Sequence, residues 1–198
     1  PVLLQGDADY ALVQSNVAAD AVAGVAPFVL GQGGAGLRAL GSLFPEPVQI
    51  VVSAASPISE LADLRNKQVD IGTASSGTQH DAMQVLAAHD LKTSELTLLQ
   101  EGGEAALRRL KNGEVDAVFI TMAAPARSLQ PVAMRSGIRL LSLQDSAVDK
   151  LVEQNHGLVP ITLPANTYAG QSSPVRTVAT VALLVTTSFL GLRRYLRQ

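Results

Sequence analysis

Apolar positions along this chain recur with two periods, and the switches between them divide it into short elements. Ala8 to Val13 alternates as a strand and runs into Gln14, Ser15 and Asn16, after which the alanine-rich Val17 to Val25 predicts a helix. Leu37 to Phe44 fits a further helix, Pro45 to Pro47 breaks the chain, and Val48 to Ser53 reads as a strand. Ser56 or Ser59 can cap a short helix through Leu64, with Asn66 at a left-handed turn before a strand at Val69 and Ile71. Met83, Val85, Leu86 and Leu91 then return near helical spacing. Ala105, Ala106, Leu107 and Leu110 form one face of another helix, Gly113 stops it, and Val115 to Ile120 is a strand. Ile138 to Leu143 reads as a strand, Val148 to Gln154 as a helix and Leu158 to Tyr168 as an extended connector. Thr177 to Thr187 is apolar and rich in β-branched residues, which predicts a buried strand.

Between the strand at Val69 and the helix from about Thr78 lies a run of residues too small for a core, Gly72 to Gly77. The first N–H groups of that helix point into the loop, where the hydroxyls of Ser75, Ser76 and Thr78 and the helix dipole favour an anion. The loop lacks the lysine of a nucleotide P-loop, and its glycines do not flank a serine as in a nucleophile elbow. The plainer alternative is a helix start whose hydroxyls only cap the backbone. Thr121 to Ala126 follows a strand in the same way, so in a parallel sheet the two loops face one crevice. Gly31 to Gly36 matches GxGxxG, but the strand Gln49 to Ser56 lacks the acidic residue a dinucleotide site needs; a surface loop fits better.

Composition narrows the function classes. With 198 residues, 47% apolar and 4% aromatic, the chain has material for one domain or two small lobes packed from aliphatic residues, which favours α/β layers. A net charge of -2 without a basic stripe argues against nucleic acid. The absence of cysteine excludes disulfides and thiolate chemistry, and His80, His89 and His156 are not spaced as a metal site, so no cofactor or metal is expected. The apolar stretch Thr177 to Leu192 precedes Arg193, Arg194 and Arg197 but is shorter than the roughly 20 residues of a membrane span. The chain begins at Pro1 without a secretion leader, as a processed product does.

Several segments together resemble the TAXI family, the solute receptors of tripartite ATP-independent periplasmic (TRAP) transporters. They are YALVQSN, LRALGSLFPEPVQIVV, ISELADLRNKQVDIGTASSGT, LKNGEVDAVFI with its Pro-containing loop, and LPANTY with TVATVALLVT, in the family's order. The resemblance implies a type II periplasmic-binding-protein fold, two α/β lobes joined by hinge strands. Residues 1–56 would be part of an incomplete first lobe, 57–160 the second lobe, and 161–198 the hinge return with a first-lobe strand and a C-terminal helix. It further implies an extracytoplasmic receptor that closes on a small carboxylate such as glutamate, glutamine or 2-oxoglutarate and docks on a membrane permease. Carried across, the ligand-binding positions are Gln14, Ser15 and Asn16; Ser75, Ser76, Gly77 and Thr78; Ala123, Ala124 and Pro125; and Tyr168 at the hinge. Asn66 stands where a glycine is usual and Asn16 where an aspartate is frequent, and the chain starts after an upstream strand of the family. An enzyme using the same cradle is the rival, although His80 and its neighbour Asp81 point apart on a helix; a solute sensor is a third reading.

Overall fold

The structure is a computed structural model, and it describes residues 3, 7–25 and 36–187. Two compact units divide the chain: residues 1–45, 155–158 and 180–198 form the first, and residues 46–154 and 159–179 the second. In the first, β1 (Ala11–Gln14) leads directly into α1 (Ser15–Ala23), which Gly24 closes in a left-handed cap. β1 pairs antiparallel with the second half of β8 (Val175–Thr187), Ala11 opposite Val185 and Gln14 opposite Ala182.

β2 (Leu37–Ser53) is one long strand, where the sequence pattern suggested a helix over Leu37 to Phe44. Two features favour the strand. Gly41 and Ser42 weaken a helix interior, and Pro45 and Pro47 lie two residues apart, so their missing N–H groups fall on the same edge of an extended chain. Ladder bonds to β5 (Ala117–Thr121) begin only at Val48, past both prolines.

The second unit is where the chemistry gathers. β2 pairs antiparallel with β5 and with β6 (Ile138–Leu140). On the far side of β5 the direction reverses. β3 (Gln68–Asp70) runs parallel to β5, Val69 opposite Ala117, and parallel to β4 (Thr97–Leu99), Asp70 opposite Leu99. β7 (Val159–Leu163) lies within the expected extended connector and pairs antiparallel with Val175 to Ala179 of β8. Each of the three parallel strands is followed by a helix: β3 by α2 (Gly77–Ala88), β4 by α3 (Gly103–Asn112) and β5 by α4 (Leu129–Ser136). α5 (Asp145–Gln154) packs on α2.

Alternation along β5 sorts the layers. Val118 and Ile120 join Leu107 and Leu110 of α3 and Leu129 of α4 in one apolar cluster with Val51, while α2 also packs on β5. The turns follow their residues. Asn66 adopts φ 61°, Gly113 caps α3 in the left-handed region, and the turn Leu61–Leu64 is a 3-10 helix with Asp63 Oδ2 accepting the N–H groups of Ser59 and Glu60. No helix among the described residues is long and apolar enough to cross a membrane. Residues 31–35 of the glycine-rich loop, the three C-terminal arginines and the expected C-terminal helix lie outside the described residues.

Candidate functional site

Parallel strands with short loops put helix N-termini at one edge of a sheet, and here three of them meet around a cavity of about 110 Å³ in the second unit. The loop after β3 contributes Gly72, Thr73, Ser76 and Thr78. Gly102 and Gly103 come from the loop after β4, and Met122 and Ser128 from the loop after β5; Phe119 and Ile120 close the base. None of these side chains carries a charge.

Ser76 is the N-cap of α2, its Oγ accepting the Gln79 N–H at 3.1 Å, while Gln79 Oε1 accepts the N–H of Ser75 at 2.8 Å. Ser75 holds φ 62°, which turns the chain into the helix. Thr78 Oγ1 accepts the Thr121 N–H at 3.2 Å, tying the start of α2 to the end of β5. In both hydroxyls the oxygen is thus engaged as an acceptor, and the O–H proton is the group left to give. The first-turn N–H groups of a helix have no partner within it, so Thr78 of α2 and Gly103 of α3, which line the cavity, add further donors. α4 differs: Ala126 O accepts the N–H groups of both Leu129 and Gln130, leaving Ser128 Oγ, which makes only a 3.9 Å contact with Met122 Sδ.

Asp70, at the end of β3, is 1% exposed and does not line the cavity. Its Oδ1 accepts the N–H groups of Gly72 and Gly102, and its Oδ2 that of Glu101. The sequence reading did not single it out, nor Gly102 and Gly103.

Ala123 and Pro125 are exposed and Ala124 is half-buried against the core; the residues flanking them, Met122 and Ser128, reach the cavity instead. Tyr168 is buried and lies outside the lining. Its hydroxyl accepts the Ala126 N–H at 2.7 Å and donates to Gln49 Oε1, and Gln49 Nε2 donates to Met122 O at 3.0 Å. Burial pushes the Tyr168 phenol pKa up, partly offset by the Ala126 N–H. Tyr168 therefore braces the loop after β5.

Gln14, Ser15 and Asn16 belong to the first unit, and two of the three are engaged there. Ser15 Oγ donates to Gly157 O at 2.6 Å and accepts the Val181 N–H at 2.8 Å, and Asn16 Oδ1 accepts the Thr180 hydroxyl at 3.1 Å. A Cβ on Gly157 would come within 2.6 Å of the Asn16 nitrogen, so the contact needs glycine. Gln14 Oε1 is buried without a hydrogen-bond partner among the described residues. His80 bonds Gln84, and neither His80 nor Asp81 lines the cavity.

Comparison with known proteins places these features in a wider group. The sequence profile of the NMT1-like family matches residues 2–191. Among solved structures, the periplasmic aliphatic sulphonate binding protein SsuA from Escherichia coli superposes with a TM-score of 0.56 at 18% identity, covering 97% of this chain and 52% of that one. A putative periplasmic sulfonate-binding protein from Methylobacillus flagellatus gives 0.59 at 10% identity, covering 97% of this chain and 46% of its own. A TctC solute binding protein from Polaromonas gives 0.58 at 14% identity, with 94% and 60% covered. The chain thus spans about half the length of the solved structures it matches.

Proposed function

We propose that this chain, which belongs to the NMT1-like family and has the fold of periplasmic solute-binding proteins, binds the anionic head of a small solute in the cavity between the starts of α2 and α3. The observation that carries the reading is the donor set. Hydroxyls of Ser76, Thr78 and Ser128 and first-turn N–H groups of two helices surround the cavity, and no charged side chain lines it. Such groups bind an anion through charge-assisted hydrogen bonds and helix dipoles. They are poor equipment for catalysis, because no imidazole, carboxylate, amine or thiol stands among them to move a proton.

The finer reading is a carboxylate-bearing solute of the glutamate, glutamine or 2-oxoglutarate type, taken up outside the cytoplasm and passed to a TRAP-type permease. It rests on the family resemblance of the sequence segments. Ser75, Ser76, Gly77 and Thr78 form the cradle in this proposal, with Ala123 to Pro125 and Tyr168 supporting it; Gln14 to Asn16 are proposed as the first unit's own ligand-binding positions. A sulfonate head presents the same oxygens, and the solved sulfonate-binding proteins make it the second arm of the test.

Calorimetric titration with glutamate, glutamine, 2-oxoglutarate, succinate, methanesulfonate and phosphate tests both arms. Replacing Ser76 with alanine and Thr78 with valine is expected to weaken the preferred ligand at least tenfold, about 1.4 kcal/mol. A folded protein that binds none of these anions, or a double variant with unchanged affinity, overturns the reading.

A further inference from the structure

We propose that Asp70 is a positioning residue for the cavity: its carboxylate fixes the loops after β3 and β4 to one another, and so aims the N-termini of α2 and α3 at one ligand. The inference rests on the solute-binding reading of that cavity. β3 is the middle of the three parallel strands, so a side chain at its carboxyl end reaches both the loop that follows it and the loop that follows β4. Asp70 does this with three bonds. Oδ1 accepts Gly72 N–H at 2.9 Å and Gly102 N–H at 3.0 Å, and Oδ2 accepts Glu101 N–H at 2.9 Å. A buried carboxyl group is expensive without partners, and here three backbone N–H groups bond to it.

The bonds act on cavity walls. Gly72 and Gly102 both line the cavity, and both hold positive φ, 87° and 63°. A Cβ on Gly102 would come within 3.0 Å of the Thr73 nitrogen and 3.3 Å of the Gly72 Cα, and one on Gly72 within 2.9 Å of the Thr78 Cβ. The two loops are therefore in backbone contact, and a displacement at Asp70 passes directly to Thr73 and Thr78. Asp70 does not itself line the cavity, and both its oxygens hold backbone donors, so it acts through the loops.

Asparagine at this position separates the three bonds. Asp70→Asn keeps one oxygen for Gly72 and Gly102 but turns an NH₂ toward the Glu101 N–H, two donors facing each other. Amide hydrogen exchange in the ligand-free chain is expected to show Glu101 losing protection by about tenfold or more while Gly72 keeps most of its own; Asp70→Ala is expected to release all three. Titration with acetate and methanesulfonate is expected to give affinities reduced roughly tenfold in Asp70→Asn, with a larger loss in Asp70→Ala. Wild-type protection at Glu101 in folded Asp70→Asn overturns the proposal, as does wild-type affinity for both probes. Should the Asp70 variants not fold, Gly102→Ala displaces the same loop with the carboxylate intact, and unchanged affinity there overturns it. A wild-type chain that binds neither probe removes the solute-binding reading alone, since the exchange pattern is read without ligand and still decides whether Asp70 holds the loops.

Discussion

Replacing Tyr168 with phenylalanine removes one oxygen and strands two buried groups. The hydroxyl accepts the Ala126 N–H at 2.7 Å and donates to Gln49 Oε1, and both Tyr168 and Gln49 are almost fully buried, at 3% and 1% exposure. Phenylalanine fills the same space, so the ring's place in the apolar cluster that also holds Leu163 and Val175 survives and the loss is confined to hydrogen bonding. An orphaned buried polar group costs about 1–3 kcal/mol, so two of them predict a destabilisation of about 2–6 kcal/mol. With a urea slope of about 2 kcal/mol per molar, the midpoint of the second unit's transition is expected to fall by about 1–3 M. A second readout localises the effect: the Ala126 amide should lose exchange protection while the β5 amides keep theirs. Gln49→Leu takes away the acceptor and also frees Met122 O, its partner at 3.0 Å, so the double variant is expected to be less destabilised than the sum of the singles by about 0.5–3 kcal/mol. A Tyr168→Phe midpoint within about 0.3 M of wild type, with Ala126 still protected, would refute the bracing role of this network.

Other positions give sharper or smaller responses. Gly102→Ala should destabilise by roughly 1–3 kcal/mol, because positive φ coincides with a 3.0 Å approach to the Thr73 nitrogen, whereas Gly113→Ala, with no atom within 4 Å, should lose about 1 kcal/mol in the same urea assay. Asn66→Gly, at φ 61°, should leave stability within about 0.5 kcal/mol of wild type, and Asn66→Val should lower it by about 1–2 kcal/mol. Burial lowers the His89 pKa from the ordinary imidazole range, against the Val85 carbonyl and Asp90, which raise it, and with Lys150, which lowers it. The folded state therefore binds the proton less readily than the unfolded one. The stability this contributes is present above about pH 6.5 and is lost as pH falls through the lower folded value, so His89→Gln should flatten the decline below about pH 6.5. Tyr168 has the opposite sense. Its raised pKa gives stability that is complete below about pH 10 and lost as pH rises through the folded value, and Tyr168→Phe should remove that alkaline limb.

What could be read from the sequence, and what could not, follows from how far apart the interacting residues are. The start of α2 was legible because a run of small residues meets a helical period at Thr78, and the reach of the β5 loop into the same cavity followed from two strands that each end in a loop and a helix. The third parallel strand was hidden. β4 (Thr97–Leu99) carries the consecutive apolar residues Leu98 and Leu99 rather than the alternation that marks Val69 and Ile71, and without it Gly102 and Gly103 read as an ordinary loop. Asp70 was hidden for a different reason: between Val69 and Ile71 it occupies the polar place of an alternating strand, where a carboxylate normally faces water. Two of its three partners, Glu101 and Gly102, are 31 and 32 residues away. Ser15 and Asn16 were read for their polarity at a strand end, but the bonds that engage them come from Gly157, Thr180 and Val181, more than 140 residues on. β2 misled the helical reading because leucine and alanine spacing is a weak prior, overridden here by Gly41 and Ser42 and by Pro45 and Pro47.

The topology also bears on what the cavity can recognise. An antiparallel arrangement would alternate helix starts and helix ends along the sheet edge, whereas β4, β3 and β5 run parallel and present three starts together. The positive ends of their dipoles add, and the lining supplies O–H and N–H donors with no lysine or arginine among them. A site of this composition attracts an anion with fixed partial charges. That attraction grows with the first power of the ligand charge, while the cost of removing the ligand's water grows with its square. The balance favours a singly charged head over a doubly charged one of the same shape, so methanesulfonate should bind more tightly than sulfate at neutral pH. Equal or stronger binding of sulfate would require a cation that the lining of this cavity does not contain.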